Sequence, residues 1–264
     1  MNITPLTTIA AVFAISLGSA SPAYSAPVLH AHDNVGVLAT VDVGTGDVNV
    51  IGNMGVVMTD IAFNPSGELF GIDFNQVYQI NEQTANVSVV GPHGIPGGNA
   101  LLFGEDGTLY GAGDSTTSLF SINPNTGSST IIGNTGFNAA GDLAFNSGNL
   151  FMSSISNELI RINLENGATG TAVGPLGFTV VGLATADDGL LYGLARTEVL
   201  LVNPNTGSAT SVLDFSGEGM GPAFGASFIT ETGAPPPAPI PVPAALPLFM
   251  AALGSLGFIS LSRS

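Results

Sequence analysis

The sequence predicts an all-β protein folded as a five-bladed β-propeller, and three observations carry that expectation. One phrase recurs with a period of about forty residues, the length of a propeller blade. Between its copies apolar residues alternate with period two, as half-buried strands require, and the body has no helical window. The repeat is also out of phase with the chain: a partial unit opens the body, and the piece it lacks closes it.

The recurring turn reads Val43-Gly-Thr-Gly46, Asn81-Glu-Gln-Thr84, Asn123-Pro-Asn-Thr-Gly127, Asn163-Leu-Glu-Asn-Gly167 and Asn203-Pro-Asn-Thr-Gly207. A second element keeps step with it as Leu69-Phe-Gly71, Leu109-Tyr-Gly111, Leu150-Phe-Met152 and Leu191-Tyr-Gly193, with Leu29-His-Ala31 as a degenerate first copy. Each unit holds four strands, A to D. The second unit shows them best, as Asp60 to Phe63, Leu69 to Asp73, Val77 to Ile80 and Val87 to Val90. The A to B connections (Asn64-Pro-Ser-Gly67, Glu105-Asp-Gly107, Ser147-Gly148, Asp187-Asp-Gly189) consist of residues that tolerate positive φ in hairpin turns.

Ahead of the first turn the chain supplies B (Val28 to His32), C (Val37 to Val41) and D (Val48 to Ile51) without an A strand. The missing strand lies at the far end, in Gly221 to Phe228. A linear stack would leave both fragments with bare edges, whereas a ring joins them and removes those edges. The competing architectures are an open β-sandwich and a β-solenoid. The recurring apolar positions Phe63, Phe70, Leu102, Phe103, Tyr110, Phe145, Phe151, Leu183, Tyr192 and Phe224 are expected between blades.

Composition narrows function by exclusion. There is no cysteine, so a disulfide scaffold, a thiolate zinc site and a cysteine nucleophile are ruled out. With 19 acidic against 3 basic side chains the net charge is -16, which repels phosphate backbones and argues against nucleic-acid binding. No Gly-x-Ser-x-Gly elbow, phosphate loop ending in Lys or His-Glu-x-x-His helix occurs.

In a ring, the A to B and C to D turns share one face and repeat the same Gly, Asn and Asp chemistry. The B to C and D to A loops occupy the other face and differ in every blade, and variable loops on a rigid scaffold are where recognition resides. The B to C loops supply Asp33, Asp73, Asp114, Glu158 and Arg196 as candidate binding residues. Asp60 and Asp142 begin A strands and Asn99 precedes one, so these three are expected near the mouth of the central channel. Such carboxylates and amides suit sugar hydroxyls or Ca²⁺, the one cofactor they would take. The plainer reading is solvated acidic loops whose Asp side chains cap turns. His30 and His32 point to one face of a strand and could share a metal, but they occupy positions filled elsewhere by Phe70 and Ile72, which favours packing.

The two ends carry a different message. Residues 1–25 read as a signal peptide, with an apolar core from Ile9 to Leu17 and a cleavage site between Ser25 and Ala26. Residues 26–230 form the propeller, 231–243 a proline-rich linker and 244–264 an apolar segment with a basic end. The 18 residues from Ala244 to Leu261 would span about 27 Å as a helix, barely a bilayer core.

The order Ile240-Pro-Val-Pro-Ala-Ala-Leu-Pro-Leu248, glycine-bearing apolar run, Arg263 resembles the C-terminal sorting signal of the PEP-CTERM class, in its Val-Pro-Leu-Pro-Ala variant. That resemblance implies a Gram-negative bacterium making extracellular polysaccharide, recognition by an exosortase in the inner membrane, and cleavage near Pro241, Val242, Pro243 and Ala244. The body more loosely resembles NHL-like and other Asp-x-x-Thr-Gly propellers, which contribute no catalytic residues. The resulting expectation is a non-enzymatic, exported surface or matrix module that binds glycan, Ca²⁺ or protein. Its alternative is a metal-dependent propeller hydrolase or lyase of the lactonase kind, using Asp60, Asn99 and Asp142.

Overall fold

The computed structural model describes residues 26–232, and within them the chain is all β apart from one 3-10 turn, Leu164–Asn166. The expected signal peptide, sorting motif and C-terminal apolar segment lie outside the described residues. Twenty strands make five four-stranded antiparallel sheets. The first blade contains β1 (Val28–Asp33), β2 (Val37–Asp42) and β3 (Val48–Asn53), completed on its inner side by β20 (Ala223–Phe228). The second runs through β4 (Asp60–Phe63), β5 (Leu69–Ile72), β6 (Gln76–Ile80) and β7 (Val87–Pro92). The third comprises β8 (Gly98–Phe103), β9 (Leu109–Gly113), β10 (Ser118–Ile122) and β11 (Ser129–Asn134). The fourth has β12 (Ala139–Asn146), β13 (Asn149–Ser154), β14 (Glu158–Asn163) and β15 (Thr169–Pro175). The fifth has β16 (Gly182–Thr185), β17 (Leu191–Ala195), β18 (Glu198–Val202) and β19 (Ala209–Asp214).

The inner strands β4, β8, β12, β16 and β20 each pack against the next, and β20 returns to β4, so the wheel is closed. Closure uses the expected pairing: Leu29 lies opposite Phe228, Ala31 opposite Ala226 and His32 opposite Gly225. One strand from the end of the body thus seals three from its start.

Two devices join neighbouring blades. An aromatic on the B strand of one blade meets a Phe on the A strand of the next, edge to face: Phe70 with Phe103, Tyr110 with Phe145 and Tyr192 with Phe228. His30 takes the aromatic place in the first blade, with its ring 4.8 Å from that of Phe63, which bears out the packing role. Each such pair is worth about 0.5–1.5 kcal/mol beyond area burial. At the remaining interface Phe151 is buried, but the A-strand position holds Thr185.

The second device is the recurring C to D turn, which sits on the D strand of the preceding blade. Gly52, Gly91, Gly133 and Gly174 face the turns at Thr84, Thr126, Gly167 and Thr206, and a methyl group added at Gly91, Gly133 or Gly174 would overlap turn backbone. At the fifth contact the partners exchange roles, and the side chain of Leu213 covers Gly46. The Asn-x-x-Thr-Gly phrase therefore fixes blade-to-blade contact as well as the hairpin.

One expected core residue is misplaced. Phe224 is 39% exposed, while Phe228 is 1% exposed. The pairing of β1 with β20 jumps from His32–Gly225 to Asp33–Ala223, so Phe224 is the extra residue of a β-bulge and turns out of the sheet. Phe145 is partly buried and packs against its cluster as expected.

Candidate functional site

The polar residues of the five inner strands form a hydrogen-bonded ring around the central channel. Asp60 of β4 accepts the N–H of Ile61 on its own strand at 2.8 Å and that of Leu101 on β8 at 2.6 Å. Asp142 repeats this from β12, accepting from Leu143 and from Leu183 on β16, each at 2.6 Å. The two carboxyls are also hydrogen-bonded to each other. Two acids thus satisfy four main-chain donors, in two blade-to-blade stitches of the same pattern.

Other side chains supply the remaining stitches. Asn99 of β8 donates to Ala139 O of β12 at 3.1 Å. Thr185 N of β16 donates to Glu231 Oε1 at 3.2 Å, and Ser227 Oγ of β20 donates to Glu231 Oε2 at 3.1 Å. Ser227 Oγ accepts in turn from Phe63 N of β4 at 3.4 Å, which returns the ring to its start. Glu231 and Thr232, which the sequence places in the linker, therefore belong to the packed body.

Burial controls the protonation of this ring. Asp60 and Asp142 are 0% and 1% exposed, and desolvation raises both carboxyls well above the usual carboxylate range. A hydrogen bond between two carboxyls needs a proton, so the pair holds one between them. Glu231 is pushed up to about 8, again by burial, against the pull of its donors. His32, opposite Gly225, is lowered to about 4 by burial and is neutral at pH 7. A methyl at Gly225 would overlap both Asp60 Oδ1 and the His32 ring, so the closing strand passes the acid pair only because it lacks a side chain there.

The expected position of the channel residues needs correction. Asp60 and Asp142 are brought together, but buried inside the ring and not at an open mouth, while Asn99, also buried, reaches the main chain of the next blade at Ala139. Asp60 and Asp142 are turned inward because main-chain donors of two strands need their oxygens, whereas Asn99 gives its amide to Ala139 O alone and leaves its buried Oδ1 without a hydrogen-bond partner. Asn99 is aimed by a bulge, since Gly98 and Ala100 oppose Gly113 and Ala112 with Asn99 between them. Among the described residues no group of three His, Asp or Glu side chains has an arrangement that could hold a metal ion.

The B to C residues stand apart, one per blade around the rim. Asp33 is buried and clasps the ring closure, accepting from Val35 N, Val37 N and, across the seam, Gly221 N at 2.9 Å. Asp73 caps its own hairpin through Asn75 N and Gln76 N and accepts the Tyr78 hydroxyl at 2.8 Å. Asp114 accepts from Ser115 Oγ at 2.7 Å. Glu158 starts β14 half-buried, and Arg196 is exposed with φ of 60°. Exposed apolar side chains occupy three of the same tips: Val35, Phe74 and Ile155.

His93 is also structural. Its Nδ1 accepts from Ile95 N at 2.9 Å, so Nε2 carries the proton and donates to Asp73 O at 3.0 Å, and burial lowers its pKa. Glu231 escaped sequence reasoning for a definable reason. It follows the one A strand that leads into no B strand, so no repeat copy exists with which to compare it.

Comparison with known proteins fits this architecture. Residues 60–181 match a family profile described as a repeat of unknown function (DUF6923), a span that takes in the second, third and fourth blades. No curated protein matches the sequence. Among solved structures, a protein of unknown function from Bacteroides thetaiotaomicron aligns over 80% of this chain and 64% of its own, with 12% identity and a TM-score of 0.54. A chain of a nidogen/laminin complex aligns over 77% and 85%, with 12% identity and a TM-score of 0.53. A streptogramin B lyase aligns over 73% and 70%, at 13% identity and a TM-score of 0.45. At these identities the likeness is one of fold.

Proposed function

We propose that this protein is an exported, non-catalytic binding module, sorted through its PEP-CTERM-like tail and presenting the face of its B to C and D to A loops to a glycan or a surface protein. The observation that carries this reading is the use of the channel carboxyls. Asp60 and Asp142 are committed to main-chain donors and to each other, which leaves variable surface chemistry at the loop tips. Phe74, Ile155, Val35 and Arg196 stand exposed there, and no two of these tips are alike.

The direction of the chain agrees with a tether on the opposite side. Ala26 leads into β1 beside the turn at Gly44, and Glu231 follows the end of β20 against Thr185, so the body is entered and left on the face of the A to B turns. Tail residues Pro241 to Ala244 would meet an exosortase-type enzyme at the inner membrane, with the loop face directed away from it.

A glycan array probed with the secreted protein tests the reading. Binding that is lost when the 33–36, 73–75 and 154–157 loops are exchanged for those of another blade supports it. Metal-dependent hydrolysis or elimination abolished by Asp60→Asn and Asp142→Asn would replace it with the lactonase-like alternative. Sorting is tested separately in the native host: deletion from Ala234 onward must abolish surface delivery.

A further inference from the structure

The inner strands run inward from the loop face, and the residue one step nearer that face than the level of Asp60 and Asp142 differs in every blade: Thr59, Asn99, Gly141, Val181 and Phe224. Two of these five are the extra residue of a β-bulge. Asn99 stands between the rungs Gly98–Gly113 and Ala100–Ala112, and Phe224 between Ala223–Asp33 and Gly225–His32. A bulge re-aims a side chain that a regular strand would pack. Phe224 is thereby left 39% exposed at the channel mouth, while Asn99 is 8% exposed just beneath it. The Asn99 amide is engaged by Ala139 O, but its Oδ1 is shielded from bulk water and accepts nothing from the protein. A buried acceptor without a partner is unfavourable, and a donor supplied from outside would satisfy it.

The fifth blade adds a cation at the same edge. Arg196 O accepts the N–H of Ala223 at 2.7 Å, which sets the turn between β17 and β18 beside the Phe224 bulge. Arg196 has a φ of 60°, a left-handed conformation that the same loop gives to Gly36 in the first blade and to Asn157 in the fourth. An arginine kept at a strained position where glycine would be relaxed points to a use for its side chain. Arg196 is exposed, and no hydrogen bond or ion pair of the described residues engages its guanidinium. The other arginine of those residues, Arg161, lies within β14, so Arg196 is their one permanent cation on the loop face.

We propose that the loop-face mouth of the channel binds a neutral hexopyranose unit of a polysaccharide, with the apolar face of the sugar on the Phe224 ring, one hydroxyl donating to Asn99 Oδ1 and another accepting from Arg196. The assignment rests on the proposed loop-face function and names its glycan class. Arg196 only donates, the unpartnered Asn99 oxygen only accepts, and a hydroxyl does both. A pyranose ring offers C–H groups to an aromatic face, so Phe224 gains apolar contact without meeting a charge. A carboxylated sugar would suit Arg196 but is opposed by the net charge of -16. An ammonium would suit Asn99 Oδ1 but is opposed by Arg196.

Titration calorimetry of the full-length protein with β-1,4-mannotetraose and with cellotetraose tests the assignment. Tetramannuronate, with a carboxylate in place of each hydroxymethyl group, and the β-1,4-linked glucosamine tetramer serve as charged counterparts. Saturable binding of at least one neutral tetramer is expected, weakened about tenfold or more in Phe224→Ala and in Arg196→Gly, which is about 1.4 kcal/mol. Neither variant threatens the fold, since one removes an exposed ring and the other places glycine at a positive φ. Absence of saturable heat with both neutral tetramers, equal binding of a charged counterpart, or unchanged affinity in both variants overturns the proposal. If both variants keep the parent's affinity while exchange of the 73–75 and 154–157 loops abolishes it, the mouth is excluded and the loop-face reading stands.

Discussion

Asp60 and Asp142 lie on inner strands that are not neighbours, yet their carboxyls are hydrogen-bonded to each other while each also bridges to the strand beyond its own. The pair thereby couples four of the five blades: β4 to β8 and β12 to β16 by main-chain donors, and β4 to β12 by the shared proton. Buried acids in this geometry tie the inner strands of the wheel together through main-chain donors.

Removing either acid should therefore cost stability. Asp60→Ala strands the N–H groups of Ile61 and Leu101, at about 1–3 kcal/mol each, and Asp142→Ala strands those of Leu143 and Leu183. Urea denaturation should show a loss of roughly 2–5 kcal/mol for each, and the double variant should deviate from additivity. A change within about 0.5 kcal/mol would be the mark of a surface site.

The pH dependence follows from the same burial. Glu231 is raised from 4.5 to about 8, so the folded state keeps a proton that the unfolded chain releases. Its stabilising contribution is complete below about 4.5 and is lost as pH rises towards about 8, and Asp60 and Asp142 act in the same direction. His30 and His32, lowered from 6.5 to about 4, act in the opposite sense, with stability that is present above 6.5 and lost as pH falls through about 4. The two groups oppose each other between those values. From about 6.5 to 8 only the carboxyls change, so the thermal midpoint should fall there, and Glu231→Gln should flatten that limb. A midpoint that climbs over this range would contradict the burial of Glu231.

The bulge at Phe224 separates two phenylalanines of the same strand. Phe228→Ala removes a fully buried ring and its contact with Tyr192, at about 3–5 kcal/mol. Phe224→Ala should change stability by less than about 0.5 kcal/mol. Chemical denaturation of the two variants side by side checks this, and a loss for Phe224→Ala as large as that for Phe228→Ala would place both rings in the core.

The turn-on-glycine contacts predict a further pair of effects. Gly91→Ala and Gly174→Ala place a methyl against Thr126 O and Thr206 O, which belong to the next blade and cannot yield without moving the turn. Each should lower stability by about 1–3 kcal/mol, as overpacking does. Hydrogen exchange should show the loss concentrated on the two blades that meet there; uniform loss across the wheel would mean that the contact is not local.

The closure of the wheel was legible because phase is a property of the sequence: a body that opens with B and ends with A has one economical solution. Core positions followed from the repeat for the same reason, and Phe224 was misread because a bulge shifts the phase by one residue inside a strand without altering composition. The depth of Asp60 and Asp142 was not legible. The equivalent positions in the other blades are Ala100, Gly182 and Gly225, and nothing in that series shows that an acid there would reach the N–H of the next strand. Glu231 and Thr185 lack informative copies, so their contact appears only in three dimensions.

The seam between β1 and β20 also sets how the protein would bear tension. Residue 232 leaves one side of the disc and the variable loops occupy the other, so a pull applied between residue 232 and the loop face is directed along β20. Under that loading the rungs from Leu29–Phe228 to Asp33–Ala223 are sheared together, whereas a pull that drew Ala26 away from residue 232 would peel them one at a time. The seam therefore resists a pull along β20 better than one that draws the two ends of the wheel apart.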